Sequence, residues 1–167
     1  MKQQEHVIFR EVQRSPIWVW ILILGIAILM WYGFIQQIIL DTPFGDKPAP
    51  NGVLIVLWLF FGIAFPILML GVLKLIIEVR EKGLYVRFVP FQYKQYLFKN
   101  IHHYECITYS PLKRFGGWGI RFNLNGEKAY NMNGKKGIEL KLKYNTVVIG
   151  TQKPDELKKA LDSVQKV

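Results

Sequence analysis

The sequence has 167 residues, enough for one small domain with an addition, and a formal net charge of +10 at pH 7. Hydrophobic residues make up 51% of the chain and charged residues 20%, which excludes an evenly mixed, soluble basic domain. The two properties are segregated: residues 1–79 carry equal numbers of acids and bases, so the whole net positive charge belongs to residues 80–167. The single cysteine, Cys106, excludes an intramolecular disulfide.

Two long uncharged segments follow a short N-terminal stretch. We predict a cytoplasmic N-terminal tail over residues 1–14, a first transmembrane helix over 15–40, an extracytoplasmic linker over 41–52 and a second transmembrane helix over 53–77. Each apolar segment is long enough for a hydrocarbon core of about 30 Å. The first has too long an apolar stretch for a signal peptide and no A-x-A-like cleavage site, and the lack of charge argues against buried core helices.

The positions of the cations predict the orientation of the two spans. Arg10 and Arg14 precede the first apolar segment, and the linker carries only Lys47. The cations that follow the second apolar segment are Lys74, Arg80 and Lys82. Because cytoplasmic loops are enriched in Lys and Arg, we expect a multi-pass plasma-membrane protein with both termini cytoplasmic. The apolar segments of the two spans, Ile17–Ile35 and about Val53–Leu73, contain no acidic or basic residue. The pair is therefore expected to anchor the chain rather than to form a transport path.

The cytoplasmic domain, residues 78–167, is dominated by alternation of apolar and polar residues, which predicts half-buried strands. The predicted strands are Leu75–Arg80, Leu84–Val89, Lys94–Phe98, His102–Tyr109, Ile120–Leu124, Lys128–Met132, Ile138–Lys143 and Thr146–Gly150. Asn125-Gly126 and Asn133-Gly134 suit the positive φ of tight hairpin turns, and Lys82-Gly83 is a further turn candidate.

The end of the chain changes period. Pro154 suits a first helical turn, and Leu157, Ala160, Leu161 and Val164 recur at helical spacing. We therefore predict a consecutive antiparallel β meander closed by one C-terminal amphipathic helix.

Four segments carry a resemblance to a known fold: EVREKGLYVRFVPF, SPLKRFGGWGIRF, KAYNMNGKKGIELKL and IGTQKPDELKKAL. Over about residues 75–165 the chain resembles the pleckstrin-homology-like (PH-like) domains of bacterial membrane-anchored proteins. The resemblance implies a two-helix transmembrane hairpin followed by a mainly-β PH-like domain, an antiparallel sheet or partly open barrel with a C-terminal α-helix. It implies no molecular activity, because a fold does not determine a function.

Candidate chemistry is sparse in this sequence. His102 and Cys106 share a strand face but lie about 13 Å apart at ~3.3 Å per residue, too far to hold one zinc ion. His103 and Glu105 lie on the opposite face, where they read as exposed polar residues. No nucleophile elbow, phosphate-binding loop or placed carboxylate pair is present, so we expect no enzyme activity, no metal site and no cofactor.

The basic surface supplies the candidate binding residues, for lipid or for a partner. They are Lys82, Arg87, Lys113, Arg114, Trp118 and Arg121. The stretch Ser110–Phe122 is a basic, glycine-rich loop, but it leads into a strand rather than a helix, which disfavours a phosphate cradle. Replacing Lys113 and Arg114 with Ala is expected to leave folding intact.

These observations favour a membrane-anchored interaction or scaffold module that docks an unidentified protein, with weak attraction to anionic lipid as an aid. Anionic-lipid headgroup binding and immunity against a membrane-active peptide are the alternatives. Nucleic acid is not expected as a partner, since the aromatic residues belong to strands and the tethered bilayer already accounts for the basic charge.

Overall fold

The computed structural model describes residues 6–165, except for the side chain of Gln165. These residues form two units. Residues 15–73 are helical apart from a connecting loop, and residues 6–14 join residues 74–165 in a mainly-β unit. The outermost parts of the predicted tail and of the predicted domain, residues 1–5 and 166–167, lie outside the described residues.

The helical unit contains two long apolar helices. The first spans Ile17–Ile39, with α1 over Ile17–Phe34 and a π-helical end. The second spans Asn51–Val72, beginning as α2 (Asn51–Leu57) and becoming π-helical on both sides of Pro66. Only 17% and 11% of their most apolar windows are buried, whereas the core helix of a soluble protein is mostly buried. Length, composition and exposure together suggest a membrane protein.

The second helix is shorter than the predicted span over 53–77. It ends at Val72, Leu73 adopts extended backbone angles, and strand β2 begins at Lys74. The sequence Lys74–Arg80 pairs with a strand on each side, so sheet hydrogen bonds replace helical ones along its whole length. The first helix agrees with its predicted span to within a few residues.

Aromatic side chains join the two helices within one chain. The rings of Phe34 and Trp58 stack with centroids 4.0 Å apart, and Trp31 meets Trp58 edge-on at 5.0 Å. Near the connecting loop, the side chain of Gln37 is buried and donates a hydrogen bond to the carbonyl oxygen of Ala49 over 2.7 Å. Gln37 therefore fixes the loop that links the helices.

Within the described residues, nine strands, two α-helices and a single 3₁₀ turn over Phe98–Asn100 form the mainly-β unit. The strands and α-helices are β1 (Val7–Gln13), β2 (Lys74–Arg80), β3 (Gly83–Val89), β4 (Gln92–Leu97), β5 (Ile101–Thr108), α3 (Pro111–Phe115), β6 (Gly119–Phe122), β7 (Lys128–Asn131), β8 (Lys136–Leu142), β9 (Thr146–Gly150) and α4 (Pro154–Gln165). Each predicted strand is present, β9 at its predicted bounds and the others with at least one end shifted. The predicted C-terminal helix is confirmed as α4, with Leu157 and Leu161 fully buried.

The first sheet has the order β1-β2-β3-β4 and is antiparallel throughout. Strand β1 was predicted as part of a tail. Its inward-facing residues are Phe9, Glu11 and Gln13. Because two of these three are polar, the sequence does not show the alternation of apolar and polar residues that indicates a strand. The segment before the first long helix thus becomes the edge strand of a sheet whose next strand follows the second long helix.

The second sheet has the order β5-β8-β9-β7-β6, and β9 lies parallel to β7. The predicted consecutive antiparallel meander is therefore wrong for this half of the unit. Gly134 has the predicted positive φ of 84°, but its turn does not close a hairpin, since β9 lies between β7 and β8. The physical reason is the run Val147–Ile149, which is buried on both faces and suits a central strand. The turn at Gly126 does close a hairpin, between β6 and β7.

A core fills the space between the sheets and α4, and a further buried cluster contains Tyr109, Phe115, Ala129 and Val148. The inward face of the first sheet contributes Leu75, Ile77, Val79, Leu84 and Val86, and the second sheet contributes Ile138, Leu140, Val147 and Ile149. Polar contacts cross between the sheets at its edges: the Nε2 of Gln13 donates to the carbonyl oxygen of Gly150 over 2.8 Å, and the hydroxyls of Tyr96 and Tyr130 lie 3.4 Å apart.

Candidate docking surfaces

Three arginines surround one carboxylate on the outer face of the first sheet. Glu78 on β2 has a side chain only 3% exposed. Its Oε2 lies 2.5 Å from Nη2 of Arg80, and its Oε1 lies 2.6 Å from Nη2 of Arg87 on β3 and 3.4 Å from Nε of Arg10 on β1. One negative charge cannot neutralise three positive ones, so this face of the sheet keeps an excess of positive charge.

The charge state of Glu78 is set by these partners. Burial alone would raise the pKa of its carboxyl group, but hydrogen bonds from Arg80 and Arg87 and their positive charges outweigh burial and hold the pKa below its ordinary value. Glu78 is therefore ionised at neutral pH and holds Arg80 and Arg87 in place.

Aromatic rings border the arginines. The guanidinium of Arg80 lies 4.8 Å from the ring centroid of Tyr85, whose hydroxyl accepts a hydrogen bond from Gln95 over 2.7 Å. Tyr93 lies 6.2 Å from Tyr85 between ring centroids and is 57% exposed. We call the surface formed by Arg10, Glu78, Arg80, Tyr85, Arg87 and Tyr93 the arginine face.

The structure divides the predicted binding residues between two places. Arg87 belongs to the arginine face, and Lys82 lies in the β2–β3 turn at one end of the same sheet. The other predicted residues lie beside the second sheet, namely Lys113 and Arg114 on α3, Trp118 in the following loop and Arg121 on the edge strand β6. Arg10 was missed because its strand was taken for a tail, and only pairing with β2 places it here.

Arg114 is committed to ion pairs. Its guanidinium donates to both carboxylate oxygens of Glu127 over 3.0 and 2.8 Å and to Glu139 over 2.6 Å, which ties α3 to the β6–β7 turn and to β8. The hydrogen bond from Arg114 is the main cause of a lowered pKa at Glu127. Because of these contacts, we now expect the replacement of both Lys113 and Arg114 to cost stability, whereas the sequence alone predicted no effect on folding.

The glycine-rich stretch is partly helical. Ser110 caps α3, its Oγ accepting a hydrogen bond from the backbone N of Lys113 over 3.4 Å, and Gly116 ends the helix with a φ of 72°. Beyond it, Nε of Arg121 donates to the carbonyl oxygen of Trp118 over 3.0 Å, and the Trp118 side chain is about two-fifths exposed, at 39%. The stretch therefore forms a capped helical turn followed by an edge strand.

Within residues 6–165 no group of three or more His, Cys, Asp and Glu side chains is close enough to hold a metal ion. His102, His103 and Glu105 are exposed on β5. Cys106 is also exposed, with its Sγ 3.5 Å from the carbonyl oxygen of Pro154.

Similarity of this chain to known proteins is found at the level of a protein family. No curated protein matches the chain, and no solved structure matches it. A family model described as "Family of unknown function (DUF6141)" matches residues 1–166. Because this match covers almost the entire sequence, the chain belongs to the DUF6141 family.

Proposed function

We propose that this chain is a multi-pass plasma-membrane protein whose mainly-β unit is a PH-like interaction module, docking an acidic segment of a protein partner on the arginine face. The observation that carries the proposal is the pairing of β1 with β2 across the two apolar helices. It makes the helices an insertion within one sheet, and it brings Arg10 to Glu78.

This pairing supports a membrane hairpin. Gln13 pairs with Leu75, so the chain leaves the sheet for the first helix and returns from the second at neighbouring positions. If both helices cross the bilayer, both of their outer ends must lie on one side of it. The loop between the helices carries only Lys47 as a cation, whereas the mainly-β unit is strongly basic, which favours a cytoplasmic unit.

The PH-like assignment is supported by two packed sheets closed by an amphipathic C-terminal helix. Two features depart from a simple meander: the added edge strand β1 and the parallel pairing of β7 with β9. Both lie within the sheets, so they alter the topology without removing the exposed outer face of the first sheet.

The arginine face suits an acidic partner. Arg10 and Arg87 have side chains 58% and 36% exposed, and the excess charge leaves guanidinium donors for further carboxylates. Exposed Tyr93 adds an amphipathic ring of the kind enriched at protein interfaces. The arginine face thus supplies groups that can bind a partner, and the proposed function includes no chemical reaction.

Photocrosslinking in native membranes tests this docking. A photoreactive phenylalanine analogue at Tyr93 is expected to give one discrete adduct, which Arg10→Gln should weaken because it removes an exposed charge from the face. Lys159→Gln, which removes one exposed charge from α4, is the matched control and should leave the adduct unchanged. An adduct that is equally strong in Arg10→Gln would contradict the proposed face.

The orientation has its own test. In a Cys106→Ser background, Ala49→Cys in the loop between the helices should react with an impermeant thiol reagent added to intact cells. Labelling that requires cell lysis would reverse the topology.

A further inference from the structure

Exposed apolar side chains gather at one end of the mainly-β unit. Phe91 in the β3–β4 turn is 64% exposed, Phe122 at the end of β6 is 67% exposed, and Leu124 in the β6–β7 turn is fully exposed. We call these three residues the apolar rim. We propose that the apolar rim contacts the headgroup–acyl boundary of an anionic bilayer and so holds the mainly-β unit against the membrane surface. This inference rests on the membrane anchorage of the proposed function but not on the arginine face.

The rim residues come from both sheets, and one lysine joins them. Lys128 on β7 donates from Nζ to Oε1 of Gln92 over 2.9 Å, and the same Nζ lies 5.0 Å from the ring centroid of Phe122. Gln92 directly follows Phe91, so the β3–β4 turn of the first sheet is held beside the β6 edge of the second. Leu124 lies two residues beyond Phe122 in the adjoining turn.

The rim lies at the end of the first sheet where β1 ends and β2 begins. Lys74, the first residue of β2, pairs with Val89 immediately before the Pro90–Phe91 turn. One row of paired residues crosses the sheet at this end. Gln13, the last residue of β1, pairs with Leu75, Leu75 pairs with Phe88, and Phe88 pairs with Gln92. The opposite end of the sheet, at Glu81 in the β2–β3 turn, is about 20 Å along β2 at ~3.3 Å per residue.

Position and composition favour lipid as the occupant. Apolar side chains at a membrane interface lie about 5–10 Å deep at the headgroup–acyl boundary, and nearby cations add attraction to anionic lipid. Lys113 is exposed and provides such a cation, since it lines the same surface hollow as Phe122 and Leu124. Lys128 adds a buried positive charge beside Phe122. Among the described residues no carboxylate contacts Lys128, which is 9% exposed and has only Gln92 and two aromatic rings as partners.

A depth measurement on the full-length protein tests the rim. The protein carries Cys106→Ser and one new cysteine, Phe91→Cys or Leu124→Cys, labelled with an environment-sensitive fluorophore. It is reconstituted in nanodiscs of phosphatidylcholine and phosphatidylglycerol, with lipids that carry a quencher on the acyl chain near the headgroup. We expect quenching and a blue shift of the emission at both positions.

Glu81→Cys is the matched control, because Glu81 is exposed at the far end of the same sheet. Its label should keep the emission of an aqueous site and show no quenching. Equal quenching at 81, 91 and 124, or none at 91 and 124 in protein that co-elutes with the discs, would overturn the rim while leaving the anchorage intact. Failure to co-elute with the discs would overturn the anchorage itself, and the rim with it.

Discussion

The indole Nε1 of Trp31 in the first long helix donates a hydrogen bond to the carbonyl oxygen of Gly62 in the second helix, over 3.2 Å. Gly62 lies four residues before Pro66, so its carbonyl is the one whose α-helical donor the proline removes. Trp31 thus supplies from one helix a donor that the other helix lacks. The absence of a side chain at Gly62 also leaves room for the Trp58 ring, since a Cβ at Gly62 would lie 3.0 Å from Cδ1 of Trp58.

Replacing Trp31 by Phe should weaken the pairing of the helices by about 1 kcal/mol, the usual scale of an interhelical hydrogen bond in a membrane. The ring contact with Trp58 is largely retained, so the loss reports mainly the missing donor. The measurement is the unfolding midpoint of the full-length protein in detergent. Tyr32→Phe is the control, because the Tyr32 hydroxyl makes no hydrogen bond within residues 6–165. An equal loss in both variants would contradict the role of Trp31.

Glu11→Ala should destabilise the mainly-β unit by about 2 kcal/mol, because it leaves buried donors without an acceptor. The Glu11 carboxylate is 7% exposed and accepts hydrogen bonds from the hydroxyl of Thr151 and, over 2.8 Å, from the backbone N of Gln152. It therefore ties β1 to the segment between β9 and α4. Chemical unfolding monitored by near-ultraviolet circular dichroism measures the change.

Val12→Ala is the comparison for Glu11, since Val12 lies on the same strand with its side chain 48% exposed on the outer face. It should cost much less than Glu11→Ala. If the two variants lose the same stability, the strand contributes through its backbone pairing and not through the Glu11 contacts.

Arg114→Ala and Lys113→Ala should behave differently, although they are neighbours in sequence. Arg114→Ala leaves the carboxylates of Glu127 and Glu139 without their shared partner and should cost about 2 kcal/mol, less than a fully buried pair because Arg114 is 28% exposed. Lys113→Ala should stay within about 0.5 kcal/mol of the wild type, as is usual for surface changes. Thermal unfolding of both variants in parallel checks this; similar midpoints would argue against the ion pairs.

The hydrogen bond between Tyr104 and Asp162 should make the packing of α4 against β5 less stable at alkaline pH. Burial, together with its 2.5 Å hydrogen bond to Asp162 on α4, raises the pKa of Tyr104 to about 12. Because the folded pKa lies above the ordinary value of 10.0, the contribution to stability is fully present below pH 10 and is lost as the pH rises toward 12.

Tyr104→Phe should therefore be less stable than the wild type at neutral pH, with a difference that shrinks between pH 10 and 12. Burial also raises the pKa of Tyr96 and of Tyr109, so both proteins should still lose stability in alkali. The informative quantity is the difference between the two unfolding midpoints at each pH. A constant difference would show that the Tyr104 hydroxyl does not titrate in this range.

Local patterns were sufficient to predict most elements of this protein. The absence of charge over residues 15–40 and 48–73 indicated the two apolar helices. Period-two alternation indicated β3, β6 and β8, and the other strands from β2 to β9 were predicted between the turn signals. The helix α3 was not predicted, because five residues between a capping Ser110 and Gly116 are too few to show a helical period. For the binding residues, charge alone could not separate Arg114, which is paired with two carboxylates, from its exposed neighbour Lys113.

The sequence by itself determined the division of the chain into an apolar pair of helices and a basic β unit, because charge and hydropathy are properties of each residue and its near neighbours. Only the tertiary structure decided that β1 joins the first sheet and that β9 lies between β7 and β8. Strand pairing depends on partners distant in sequence, and the inward side chains of Glu11 and Gln13 become favourable only when Thr151, Gln152 and Gly150 supply their hydrogen bonds. The same pairing gathers Arg10, Arg80 and Arg87 around Glu78.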